Sequence, residues 1–294
     1  MTQATAALKV AILLTCRNRR ETTLTALRQI ALQDPVIQPS IFLFDDASTD
    51  GTPEAVGAEF PEVRIVHGDG NAFWNGGLYR VWTVAREAPV AAFLWLNDDV
   101  ELERDAFVRL AAGWRSMRER CGKELFILAS ATRGNEGEIS YGGMRMTSRR
   151  TAFHLAGVEP GEELKPIDTF NGNIVLVPRA VVDRIGLNDP AFHHNLGDID
   201  YGLRATKAGI CVLLLPGTLG RCEANEQKRR LSFGSQTLTL REQWRTVNTH
   251  RGLPVASWWR LTRRHSGKWW LIHFLGPYRA LVRPSLLSFK KERE

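Results

Sequence analysis

Cysteine is scarce. Four are scattered over 294 residues, at positions 16, 121, 211 and 222, and none of them show the paired spacing of a zinc module. This excludes a disulfide-stapled secreted scaffold and predicts reduced thiols in a cytosolic protein. Cys16 and Cys211 fall in apolar runs and are expected to act as buried hydrophobes. Long hydrophobic runs are also missing. No stretch of ~18 uninterrupted apolar residues occurs, so no membrane-spanning helix is expected. The opening MTQATAALKV lacks a basic segment followed by an apolar core, so no signal peptide is expected. There is no internal repeat and no low-complexity segment. What is present is 44% hydrophobic and 24% charged sequence, enough for one large α/β domain or a domain with an appendage.

The net charge of +7 is unevenly placed. From Lys228 to Glu294 there are 15 Lys or Arg against three Glu, a local balance of +12, and the preceding residues are net acidic. The same tail holds five of the nine tryptophans. Such asymmetry points to a tail with its own partner.

The first hundred residues alternate apolar runs with helical patterns. LKVAILLTC (8–16), SIFLFDD (40–46), VRIVHG (63–68) and AAFLWL (91–96) read as strands. NRRETTLTALRQIAL, TPEAVGAEF and GGLYRVWTVAREA (76–88) read as helices between them, the first with the capping-box spacing of Asn18 and Glu21. Strands apolar on both faces and separated by helices predict a mostly parallel sheet covered on both sides. Further on, 105–120 reads as a helix, 125–130 and Ile174–Val177 as strands, a helix starts at about Ile199, and ICVLLLPG is a last buried strand. In sheets of this kind ligands bind beyond the carboxyl ends of the strands. Here those ends read TCRNR, DDASTDGT, HGDGNAFWNGG and NDDVE. One acidic strand end is ordinary turn chemistry; a whole edge of polar, Asp-bearing ends is a candidate site. FLWLNDDVEL poses the choice most sharply, between turn closure and a metal held over a bound phosphate.

The ordered set of TxRNR, DDxSxDGT, GNxFWNGG, LNDDV, FNGNxxxVPRxxxxxIG and GDIDYGLRxxxAG, over roughly residues 8–225, resembles the family 2 inverting glycosyltransferases, in the bacterial rhamnosyl- or galactosyltransferase-like branch. The resemblance implies a GT-A fold, with a nucleotide-sugar half (8–100) and an acceptor half (101–225) in a catalytic domain of residues 1–225. Residues 226–294 would follow as a helical, basic, Trp-rich segment. It also implies a divalent metal, Mg²⁺ or Mn²⁺. Carried over position by position, Thr15, Arg17 and Asp46 match nucleotide contacts. Asn71, Trp74, Asn75 and Gly76 match the loop near the nucleotide-sugar. Asn97, Asp98 and Asp99 match the family's DxD motif, with Asp99, supported by Asp98, as metal contact. Asn171 and His194 join the substrate-binding set, and Asp198 matches the catalytic base. Asp200 fits a further acid, with favourable charge at a helix N-terminus as the plainer reading. Asp50 reads as structural. Two positions depart from the pattern, Asn97 for the first acid of DxD and Gly197 for a Glu before the base.

The chemistry fits these residue types. A leaving diphosphate needs a cation, and Mg²⁺ is commonly held by one or two carboxylates plus the substrate's own phosphates. Inversion needs one general base for the acceptor hydroxyl, worth ~10²–10⁴-fold. The expected partners are a UDP-, dTDP- or GDP-linked sugar, a glycan or lipid-linked acceptor and a membrane surface, with the protein peripheral on the inner face of the cell membrane. Nucleic acid is not expected, because no binding motif accompanies the basic charge. The tail, SWWRLTRRHSGKWWLIHFLGPYRALVRPSLLSF, has two readings: an interfacial segment or a helical pair packed on the domain, with a second copy as another partner for it. The rival to an enzyme is a non-catalytic nucleotide-sugar-binding or membrane scaffold protein derived from a transferase, supported by Asn97 and Gly197. A sugar nucleotidyltransferase is disfavoured because TCRNRRETT has no glycine to wrap a triphosphate. A glycoside hydrolase would need two carboxylates flanking one bond.

Overall fold

The computed structural model describes residues 7–121, 125–148, 153–192, 194–224, 240–249 and 252–279. Its centre is a sheet in which β1 (Leu8–Cys16) pairs in parallel with β2 (Ile37–Asp45) on one side and β4 (Ala92–Leu96) on the other. Outside β2 lies β3 (Arg64–His67), also parallel. The helices α1 (Arg20–Ala31), α2 (Thr52–Glu59) and α3 (Phe73–Ala85) provide the crossovers. After a short β5 (Glu101–Leu102), α4 (Ala106–Cys121) leads to β6 (Phe126–Arg133).

Short pairings follow in β7 (Ile139–Tyr141), β8 (Gly143–Ser148), β9 (His154–Gly157), β10 (Lys165–Pro166) and β11 (Thr169–Phe170). Then β12 (Ile174–Pro178) enters between β4 and β6, antiparallel to both. The helices α5 (Arg179–Ile185) and α6 (Gly197–Lys207) precede β13 (Cys211–Arg221), which pairs in parallel with β6. The sheet reads β10-β13-β6-β12-β4-β1-β2-β3, and β11-β8-β9 forms a second, small sheet.

The strands build two cores by alternation. Ile12, Leu14, Leu43 and Leu94 face α1 and α4, packing with Leu24, Leu27, Phe107 and Leu110. Leu13, Phe44, Phe93 and Trp95 face α3 and α6, packing with Val81, Trp82 and Tyr201. Trp82, Trp95 and Tyr201 meet with centroids 5.1–5.4 Å apart. A third cluster joins Phe192, Ile199 and Leu203 to Trp258 and Leu261 of the helix Val255–His265.

The antiparallel entry of β12 positions the site. Ile174 lies opposite Leu96, and the Asn97 N–H donates to the Asn173 carbonyl at 3.1 Å. The start of β12 and the end of β4 therefore meet at one sheet edge. The carboxyl end of β13 reaches the same edge and brings Cys222 there.

Several expectations are corrected. The capping-box spacing of Asn18 and Glu21 is not used. Asn18 takes a φ of 50° and turns its side-chain oxygen to the Thr49 N–H at 2.7 Å, and the cap residue Arg19 makes no side-chain cap bond. The third helix starts at Phe73, three residues before the sequence pattern suggests, and α6 starts at Gly197. Cys211 is exposed, not buried, because it is the first residue of β13. Cys16 is buried as expected. Asp50 is structural, as read: its carboxylate accepts the N–H groups of Thr52 and Arg20.

Candidate active site

A cleft of about 470 Å³ opens along the carboxyl ends of β1, β2 and β4 and is closed by the residues before β12 and α6. Thr15, Arg17, Asp46, Trp74, Asn97, Asp98, Asp99, Asn171, His194 and Asp198 all line it. Residues far apart in the chain thus share one cleft.

At the end of β4, Asp98 is buried and Asp99 is half-exposed at 40%. Arg19 spans them, its two terminal nitrogens 3.1 Å from Asp98 and 3.2 Å from Asp99. Thr23 donates to Asp98 at 3.3 Å. Burial pushes the Asp98 carboxyl up to about 7; the Arg19 charge opposes this and the Asp99 charge adds to it. Among the described residues no three His, Cys, Asp or Glu side chains cluster to hold a cation unaided. Two adjacent hard carboxylates facing a cleft nevertheless fit a Mg²⁺-type ion that takes its remaining ligands from water and substrate phosphates. Asn97 does not join that donor set, because its side-chain oxygen accepts the Trp74 indole N–H at 2.7 Å.

On the β2 side, the Asp46 carboxylate accepts N–H groups from Gly70 at 2.9 Å, Ala72 at 3.0 Å and Phe73 at 3.2 Å. It is 4% exposed, so it braces the 69–73 loop from beneath the cleft. Arg17 donates to the Gly70 carbonyl of the same loop. The loop ends at Phe73, a bulky residue held at φ 53°, a strained conformation of the kind that clusters at ligand sites.

Facing this is the N-terminus of α6. Leu196 takes a left-handed φ of 71°, which turns the chain so that Asp198 falls in the first helical turn. Its carboxylate accepts the Gly172 N–H at 3.0 Å. His194 packs edge-on against Phe73, with centroids 6.3 Å apart. His193 lies outside the described residues.

The two departures from the family pattern have packing causes. Gly197 sits against the buried Asn75, and a Cβ there would lie 1.9 Å from Asn75 Oδ1. Asn75 donates to the carbonyls of Asp189 and Phe192 and accepts from Asn188. It is fully buried and locks α3 to the 188–197 loop, so it does not line the cleft as expected. Gly76 is likewise not on the wall, and Asn71 is exposed beside it with its amide on the Asp69 carbonyl. Trp74 lies against the backbone of Gly172, where a Cβ would meet its ring at 2.4 Å. Trp74 thus locks onto Asn97 and Gly172, and Asn75 onto Gly197.

Sequence reasoning missed Arg19, Phe73, Tyr141, Gly172, Asn173, Asn195 and Cys222, which also line the cleft. Arg19, Phe73, Gly172 and Asn173 lie inside the quoted motifs; Tyr141, Asn195 and Cys222 carry no motif and arrive through β7, the loop before α6 and the end of β13. Cys222 places its sulfur 3.6 Å from Asp99.

Asp200 has no part in the cleft wall. It is fully buried and receives Arg264, Arg204 and His265 at 2.7–3.0 Å. The tail divides between its two readings. Trp258 is buried in the third cluster, whereas Trp244, Trp259, Trp269, Leu271, Ile272 and Leu275 are 36–50% exposed. Among the described residues no helix is long and apolar enough to cross a membrane.

Comparison with known proteins agrees with this geometry. A Mycobacterium tuberculosis N-acetylglucosaminyl-diphospho-decaprenol L-rhamnosyltransferase is 25% identical over 218 residues, covering 64% of this chain; the chain spans 66% of that protein's length. In fold, the chain resembles S. aureus TarS in complex with UDP (TM-score 0.54, 12% identity, 87% of this chain and 70% of that one). It also resembles the Pyrobaculum calidifontis mannosyltransferase PcManGT in complex with GDP-Man and Mn²⁺ (TM-score 0.53, 14% identity, 98% and 81%). Residues 11–119 match the family described as glycosyl transferase family 2, and the chain shares the GT-A fold of these structures.

Proposed function

We propose that this protein is an inverting glycosyltransferase that moves a sugar from a nucleotide-diphosphate donor to a hydroxyl of a lipid-linked glycan acceptor in bacterial surface polysaccharide synthesis. One observation carries the reading: the paired carboxylates of Asp98 and Asp99 and the separate carboxylate of Asp198 open into one cleft from opposite elements. A divalent cation held by Asp99 and Asp98 would neutralise charge on the departing diphosphate. Thr15 and Arg17, at the end of β1, line the part of the cleft where a nucleotide would lie, beside the 69–73 loop braced by Asp46. Trp74 offers a rigid face for the sugar. Asp198, oriented by the Gly172 N–H, takes the proton of the acceptor hydroxyl as it attacks.

A lipid-linked acceptor is supported by the tail. Trp259, Trp269, Leu271, Ile272 and Leu275 form an exposed apolar run, with Arg263 over the Trp270 ring and Lys268 over the Trp269 ring. Aromatic residues with interleaved cations suit the headgroup level of a membrane. The relative's printed name, with its decaprenol carrier, supports the same reading. The scaffold reading drew on Asn97 and Gly197, and the packing of Trp74 and Asn75 accounts for both.

The test is a donor screen. Purified protein with Mn²⁺ or Mg²⁺ is offered UDP-, GDP- and dTDP-sugars, reading thermal stabilisation and donor hydrolysis, with EDTA and Asp99→Ala as controls. The expected result is a metal-dependent response to one donor class, lost in the variant. No response to any donor would overturn the proposal.

A further inference from the structure

The loop that carries Asp198 is held at both ends by one side chain from the C-terminal helix. The Arg264 guanidinium donates through Nη2 to Asp189 Oδ2 at 2.7 Å and through Nη1 to both oxygens of Asp200 at 2.8 and 2.7 Å. Asp189 precedes the loop, and Asp200 follows Asp198 by two residues. Between them lie Leu196, at a left-handed φ, and cleft-lining His194. A planar fork with fixed donor directions can tie two carboxylates at a set separation, which a single ammonium cannot. Asp200 has no exposure, so its charge is balanced only from inside the protein; Arg264 of the C-terminal helix shares that role with Arg204 of α6, and His265 hydrogen-bonds the same carboxylate. Removing Arg264 would leave Arg204 and His265 on Asp200 and Arg260 on Asp189, so each carboxylate keeps a partner while the single side chain that joins the two is lost.

We propose that Arg264 is a positioning residue for catalysis. It acts as a clasp across the neck of the 189–200 loop, setting the place of Asp198 from the C-terminal helix. This rests on the reading of Asp198 as the base. The clasp touches the acceptor half alone, since its partners are Asp189 and Asp200. It therefore acts on the chemical step and not on nucleotide binding.

The test compares the full-length protein with Arg264→Met and Arg264→Lys, measuring steady-state transfer, nucleotide binding and hydrogen exchange of residues 190–199. Misplacing a catalytic group by about 1 Å can cost ~10²-fold. The expected result for Arg264→Met is thus kcat lowered about tenfold to a hundredfold, with donor KM within about twofold of wild type. Exchange over 190–199 speeds up while residues 8–100 are unchanged, and Arg264→Lys recovers part of kcat. Unchanged kcat, or a parallel loss of donor binding and of protection throughout the chain, overturns the proposal. The exchange arm needs no turnover. If the wild type transfers no sugar, the functional reading fails, and the clasp stands or falls on whether 190–199 alone loses protection.

Discussion

At the scale of single residues, two substitutions in otherwise conventional motifs are explained by their neighbours. Gly197 stands where the family pattern has Glu because Asn75 fills the space a Cβ would need. Gly197→Glu should therefore destabilise the protein, by about 1–3 kcal/mol for an overpacked buried site. Urea unfolding would show this as a lower midpoint at unchanged slope, and an unaltered midpoint would mean that Asn75 moves aside freely. Asp198 makes the opposite prediction. It is held by a backbone N–H at the mouth of α6, and Asp198→Asn keeps its size while removing its basicity. Turnover should fall by ~10²–10⁴-fold with nucleotide affinity unchanged, as measured by single-turnover transfer alongside calorimetric titration of the nucleotide. A variant that turns over normally would remove Asp198 from the mechanism.

Elements meet here through charge as well as apolar packing. The helix Val255–His265 buries Trp258 and Leu261 and adds Arg260 and Arg264 on Asp189. Burial alone would raise the Asp189 pKa, but the Ala191 N–H and the Arg264 guanidinium outweigh it and hold the carboxyl below its ordinary value. A carboxylate with a lowered folded pKa stabilises the protein fully above its unfolded value of about 3.9, and that contribution disappears as pH falls through the folded value. Asp189→Asn should thus be less stable than wild type at pH 6, with the gap closing below about pH 4. Urea midpoints across that range would check this, and profiles that stay parallel would show that the bridge adds nothing.

The molecule as a whole has two faces of different character: the candidate cleft along the sheet edge and an exposed Trp- and Leu-bearing surface on the C-terminal helices. Each cation near an anionic surface contributes about 1 kcal/mol, and withdrawing each exposed apolar side chain adds about 1.5–3 kcal/mol when burial is complete. The full chain should co-sediment with phosphatidylglycerol-containing vesicles, less so at high salt. The double variant Trp259→Ser, Leu271→Ser should bind about tenfold more weakly or less tightly still. Equal binding by wild type and variant would assign the surface to another partner.

The amino-acid order determined the mostly parallel architecture and most of the cleft. Apolar strands alternating with helices admit few topologies, and polar residues at strand ends have one place to go, the carboxyl edge of the sheet. Thr15, Arg17, Trp74, Asp98 and Asp99 were legible for that reason, whereas Asn171 and Asp198 were legible only through the motif resemblance. Tertiary structure decided the rest. Only the antiparallel insertion of β12 put Gly172 beside Trp74 and within reach of Asp198. Only packing showed that Asn75 is a buried lock, that Asn97 serves Trp74 instead of a cation, and that Asp200 anchors the C-terminal helix. These outcomes depend on pairs separated by 23 to 122 residues, and periodicity and local spacing carry no information about which distant side chain will occupy a given space.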